Sequence, residues 1–182
     1  MTVEASGIIS KPLDNLRTLL ASGEAMQEWV GVDAEDVGTP TGVAEAKEHI
    51  YLWTVGESED DNYATRAARR PLVRLDYTEG IAGEKMAEGS TYWQHDGPIQ
   101  AIFEKVVPAA CQGSTADACL DLANDAGAII EGMMELAGSD DYLNATGWQM
   151  PTAPARMDPK LVSEDGELDL VQTEILINWG DG

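Results

Sequence analysis

The sequence has little cysteine, little histidine and few basic residues. Of its 182 residues, two are Cys, two are His and 11 are Lys or Arg, against 33 Asp or Glu. Two cysteines, Cys111 and Cys119, exclude a small disulfide scaffold. One lies before a predicted helix and the other inside its first turns, so their Cα atoms are expected to be too far apart for a bridge. We therefore predict two buried free thiols.

Long apolar runs are also missing. No run reaches the roughly 20 residues of a membrane-spanning helix, and the start of the chain, MTVEASGIIS, lacks the basic and apolar parts of a signal peptide. We expect a soluble protein that is made in the cytoplasm and has no membrane partner. A chain of this length can bury one sizeable core. The prediction is a single domain over residues 1–182.

The formal net charge is −22. Phosphate recognition needs clustered Lys and Arg, so this charge argues against ordinary DNA or RNA binding. Solubility, adaptation to high salt and cation binding are three open explanations. The charge is also uneven, because residues 106–155 contain no Lys or Arg. Four arginines, by contrast, crowd into nine residues: Arg66, Arg69, Arg70 and Arg74.

No known catalytic or metal-binding spacing is present. The sequence has no CxxC, HExxH or calcium-loop series, and no GxSxG, GxGxxG or GxxxxGK. We predict no catalytic residue, no metal and no cofactor. The acids Glu57, Glu59, Asp60 and Asp61 could loosely gather a divalent cation, but a solvated acidic loop is the better interpretation. His49 and His95 lie in strand-like sequence and are interpreted as structural, because neither has an evident orienting carboxylate.

A long helix is predicted over about 114–137. Its apolar residues recur every three or four positions and define one stripe, namely Cys119, Leu122, Ala126, Ile129, Met133 and Leu136. Ser114 followed by Asp117 resembles a capping box, and Gly138 suits a left-handed C-cap. The acids Asp117, Asp121, Asp125, Glu131 and Glu135 take the other sides.

The flanking segments predict the sheet on which this helix packs. Strand-like runs occupy His49–Val55, Leu72–Tyr77, Ile99–Val107, Leu143–Met150 and Glu167–Trp179. Thr91–Gln94 is either a separate strand or the start of one long strand bent at Asp96-Gly97-Pro98. The fold class is α+β, with a single twisted, mostly antiparallel sheet. The long helix and an N-terminal helix over about 12–22 are expected to pack on one side of it.

The remaining segments are predicted to be helices or loops. Pro12 is placed in the first turn of the N-terminal helix, and a second short helix presents Met26, Trp29 and Val30. Residues 31–62 are interpreted as an inserted loop with a short helix. Residues 79–89 are expected to form a flexible excursion, and residues 151–166 a Pro-rich loop.

The row Asp117, Asp121 and Asp125 has spacing i, i+4, i+8 and so forms one acidic stripe on the helix. Like charges at this spacing destabilise a helix. Either solvent absorbs the repulsion or a cationic partner covers it. In a homo-oligomer, the four arginines between positions 66 and 74 of a neighbouring subunit are the natural candidates. These seven residues are therefore the candidate subunit interface.

Four segments in chain order resemble the tail terminator and related neck proteins of long-tailed double-stranded DNA phages. They are PLDNLRTLLASGEAMQEWVG, RPLVRLDYTEG, GPIQAIFEKVVP and TEILINWG. The resemblance implies an α+β structural subunit of the virion, assembled in the host cytoplasm. It further implies a ring, usually hexameric, at the head-proximal end of the tail tube.

Such a ring would end tube growth and join the tail to the head. Its implied partners are copies of itself, the tail tube protein and the neck or head-completion proteins. DNA would pass through without specific binding. Three alternatives stay open: a head-completion or other neck protein of the same connector, a small acidic hydrolase or nucleotide-binding enzyme, and a monomeric binding module.

Overall fold

The computed structural model describes residues 7–52, 70–77, 82–85, 93–107, 109–111, 114–138, 157–164 and 168–180. The helices in these ranges are α1 (Gly7–Ser22), α2 (Glu24–Val30), α3 (Pro40–Lys47) and α4 (Thr115–Ala137), with a 3-10 turn at Ala109–Cys111. The strands are β1 (Ile50–Leu52), β2 (Leu72–Tyr77), β3 (Ala82–Lys85), β4 (Trp93–Val106), β5 (Met157–Glu164) and β6 (Leu168–Gly180). None of the described helices is long and apolar enough to cross a bilayer.

The six strands form one sheet in the order β1-β2-β4-β6-β5, and β3 pairs with β4 beside this path. Only the β1–β2 pair is parallel among the described strands. The longest ladder joins β4 to β6, from Asp96 opposite Gly180 to Val106 opposite Leu170. The predicted α+β class with a mostly antiparallel sheet is confirmed.

The described helices pack on one face of the sheet. Side chains alternate between the two faces of a strand, and the alternate β4 residues Ile99, Ala101 and Phe103 are buried in the same apolar cluster as residues of α1, α2 and α4. The ring of Trp29 on α2 lies 5.9 Å from that of Phe103, centroid to centroid. The helix face of the sheet is therefore the face of the odd-numbered β4 residues.

The stripe predicted on the long helix is the side that α4 buries. Leu122, Ala126, Ile129 and Met133 are buried, and Cys119 and Leu136 pack against the core while partly exposed. Ser114 caps the helix, since its hydroxyl accepts the backbone N–H of Asp117 at 3.3 Å. Both cysteines are free thiols, as predicted, but each is only partly buried.

Local chemistry also fixes the small helices. α2 ends at Gly31, whose φ of +87° is a conformation that favours glycine. α3 begins after Thr39, whose hydroxyl accepts the N–H of Gly42, and Pro40 occupies the first turn. A Cβ at Gly42 would lie 2.3 Å from the carbonyl oxygen of Asp36, so the close approach there requires glycine.

Several sequence predictions were wrong in detail. α1 begins at Gly7, so Pro12 lies inside the helix rather than in its first turn and removes one backbone hydrogen bond. Gly138 is not in the predicted left-handed conformation. Its backbone is right-handed (φ −80°, ψ −3°), because its N–H continues the helical hydrogen bonding by donating to the carbonyl of Met134. Residues 93–106 form one strand through Asp96-Gly97-Pro98, which settles the alternative left open there.

Two segments expected to be loops contain strands. Ala82–Lys85, within the predicted excursion over 79–89, pairs with β4. Met157–Glu164, within the predicted Pro-rich loop over 151–166, pairs with β6 along its whole length. Pro159 is accommodated because β5 pairs with a single described strand, and proline is tolerated at a sheet edge. The strand predicted at 143–150 lies outside the described residues.

Candidate functional site

The first charge cluster lies on the sheet face opposite the helices. Glu104 neighbours Phe103 on β4 and so points to the other face, where it is only 1% exposed. The Nε of Arg70 donates to its Oε1 at 2.6 Å, and Nη2 of Arg74 lies 3.6 Å from its Oε2. A buried carboxylate needs such partners, because desolvation of an unpaired charge is costly. Glu104 therefore ties the start of β2 to β4.

The second cluster lies on the helix face, around Lys105. Its Nζ contacts Oδ2 of both Asp121 and Asp125 on α4. The indole Nε1 of Trp29 also donates to Oδ2 of Asp125, at 3.0 Å. Four side chains therefore join α2, α4 and β4 at one point. The cluster is partly open to solvent, since the side chain of Asp121 is 41% exposed.

The pKa values of two side chains, Lys105 and Tyr77, are raised by their surroundings. Burial alone lowers the pKa of Lys105, but its hydrogen bonds to Asp121 and Asp125 and the charges of both carboxylates outweigh that effect and raise the pKa above 10.5. Lys105 therefore carries its charge throughout the physiological pH range. On β2, burial raises the pKa of the Tyr77 hydroxyl to about 12, because the tyrosinate anion is the form that burial penalises.

The structure does not bring the described members of the predicted interface together within one chain. Arg70 and Arg74 pair with Glu104 on one face of the sheet, whereas Asp121 and Asp125 bind Lys105 on the other. Asp117 is exposed near the start of α4. Arg66 and Arg69 lie outside the described residues. Much of the acidic row thus has a cation from its own chain, which the sequence interpretation did not consider.

Of the residues considered for catalysis, His49 is described, and its side chain makes a contact within the fold. The imidazole Nδ1 of His49 lies 2.9 Å from the carbonyl oxygen of Pro71 and donates to it, because a carbonyl oxygen can only accept. The side chain of His95 and residues 57–61 lie outside the part that is described. Among the described residues, no group of three or more His, Cys, Asp or Glu is placed to hold a metal ion.

Sequence reasoning missed Glu104, Lys105 and Trp29 as members of these clusters. One signal was available, since Glu104 and Lys105 interrupt the otherwise apolar run IFEKVV, and a charge inside such a strand usually requires a partner. The sequence does not show which residues are the partners of Glu104 and Lys105. Arg70 and Glu104 are 34 residues apart, and Trp29 and Asp125 are 96 apart.

Comparisons with known proteins give no assignment: no protein-family model matches the chain, and no match is found among curated proteins. Over the residues that the structure describes, the fold is of the α+β class, with one mixed sheet and helices packed on one of its faces. Its two charge clusters join elements of the same chain.

Proposed function

We propose that this protein is a structural subunit that assembles into a closed ring, with the role of a tail terminator in a long-tailed phage. In this role the ring caps the head-proximal end of the tail tube, stops its growth and offers a surface for the head and neck. The subunit works by shape and by contact with copies of itself.

The observation that carries the proposal is the arrangement of β4, α4 and β6. Two of the segments that resemble the phage family, GPIQAIFEKVVP and TEILINWG, are adjacent antiparallel strands. The long helix between them in the chain packs against both. This arrangement supports the proposal because the resemblance implies an α+β subunit, and the sheet continues outward to β5 on one side and β1 on the other.

The charge of the chain supports the same role. A net charge of −22 leaves few cations for phosphate contacts, and the described Arg70, Arg74 and Lys105 already have carboxylate partners. A channel lined by such subunits would let DNA slide without binding it, because the counterion release that drives phosphate binding is missing.

The test is the assembly state of the purified protein, measured by sedimentation velocity alone and with the tail tube protein. Each copy carries −22, so salt should screen the repulsion and strengthen assembly. A ring that dissociates as salt rises would contradict this account.

Electron microscopy of particles made without the protein then separates the terminator from its alternative in the same connector. Loss of a terminator gives tails of uncontrolled length. Loss of a head-completion protein gives heads that leak DNA, and that outcome would move the assignment to the neck.

A further inference from the structure

The ribbon formed by β3 and the first residues of β4 extends past the other described strands of the sheet. Ala82 to Lys85 pair with Asp96 to Trp93. The ladder from β6 reaches only Asp96, and the ladder from β2 reaches only Ile99. Among the described strands, residues 93–95 therefore pair with β3 alone. At about 3.4 Å per residue, this two-stranded ribbon continues for about 10 Å beyond the other described strands.

We propose that this ribbon is an intersubunit arm, which docks by strand pairing on the β5 edge of a second copy of the chain. The inference rests on the proposed ring and names the contact that would build it. A two-stranded ribbon is marginally stable on its own in water, and pairing with a further strand supplies what it lacks. Pairing of this kind is a known mode of association between a strand and an open sheet edge.

The β5 strand has the backbone chemistry to receive such an arm. Pro159 lies opposite Thr173 of β6. Because proline has no N–H to donate, it fits a position whose backbone groups point away from β6 and make no hydrogen bond to that strand. Residues two and four positions further along share that direction. Leu161 and Ser163 thus direct N–H and C=O groups outward, and residues 161–164 match the four-residue length of β3.

The position of the two edges allows the partner of the arm to be a second copy of the chain. Asp96 pairs with Ala82 on one side and with Gly180 on the other, so β3 and β6 lie on opposite sides of β4. β5 lies beyond β6. An arm on one side and a receiving edge on the other make a head-to-tail contact, which produces a ring when the rotation closes.

Cysteine cross-linking tests this contact. In a background with Cys111→Ala and Cys119→Ala, Glu84→Cys is combined in turn with Leu161→Cys, Val162→Cys, Ser163→Cys and Glu164→Cys. Within one chain β3 and β5 are three strand spacings apart, about 14 Å, so a disulfide can form only between copies. The matched control pairs Glu84→Cys with Glu131→Cys, an exposed position on α4.

We expect at least one of the four pairs to give a ladder of cross-linked species on a non-reducing gel that ends at the size of the ring, while the control pair gives none. A ring in sedimentation with no cross-link in any pair, or with equal cross-linking in the control, overturns the arm and leaves the ring intact. A monomer at every salt concentration overturns the ring itself and the arm with it.

Discussion

The carboxylate of Glu104 and the guanidinium of Arg70 form a 2.6 Å ion pair whose side chains are 2% and 3% exposed. Arg74 completes the cluster from the neighbouring strand. The three side chains lie on the sheet face opposite the described helices. This arrangement leads to the first prediction, because a buried charge tolerates the loss of its partner poorly.

Replacing Glu104 with Gln removes the carboxylate charge from the ion pairs with Arg70 and Arg74. Breaking a buried pair in this way costs about 3–5 kcal/mol of the free energy of unfolding. Urea denaturation followed by circular dichroism measures the loss. The matched control is Glu131→Gln at an exposed position of α4, which should change stability by less than about 0.5 kcal/mol. Equal effects of the two substitutions would show that Glu104 is not held as described.

Lys105 and Asp125 should be energetically coupled. The variants Lys105→Met and Asp125→Asn, together with the double variant, form a cycle that isolates their interaction, expected to be about 1 kcal/mol. The single change at Lys105 leaves Asp121 and Asp125 facing each other without a cation, so its cost should fall as salt is added. Strictly additive effects in urea denaturation at low salt would argue against the contact.

Two leucines on α4 provide a matched pair for the core. Leu122 is fully buried, whereas Leu120 is 60% exposed. Leu122→Ala should cost about 2–5 kcal/mol because it removes buried methyl groups and leaves a cavity. Leu120→Ala should change the free energy of unfolding by about 0.5 kcal/mol or less. Thermal and urea unfolding of both variants checks this difference, and a reversed order would mean that α4 presents another side to the sheet.

Tyr77 should make stability depend on alkaline pH. Burial raises its pKa from 10.0 to about 12, so the native state keeps a proton that the unfolded chain has lost in this range. The contribution is complete below pH 10 and is lost as the pH rises towards 12. Tyr77→Phe should remove this part of the decline, while the part due to Lys105 remains. The measurements are tyrosinate absorbance and unfolding free energy against pH, and identical pH profiles for both proteins would contradict the prediction.

Local patterns predicted the elements whose signals lie within one segment. The stripe of α4, the cap at Ser114 and the strand over 72–77 need only neighbouring residues, and all three are observed. Prediction failed where tertiary context outweighed a local signal. Proline marked a helix start at Pro12 and a loop at Pro159, but the core fixes α1 and the sheet edge accommodates β5.

The charge clusters were less predictable than the elements. The acidic row of α4 could be read from its spacing, but the cation that faces Asp121 and Asp125 comes from β4. Which strand residue faces a helix depends on how the helix is rotated about its axis and how far it is shifted along the sheet. That information lies in the packing of the core and not in any short stretch of sequence.

The most direct test of the ring is the mass of the assembled wild-type protein, measured by sedimentation equilibrium over a range of salt concentrations. We expect one discrete closed oligomer whose population rises with salt, because screening reduces the repulsion between copies that each carry −22. A monomer at every salt concentration and protein concentration would contradict it.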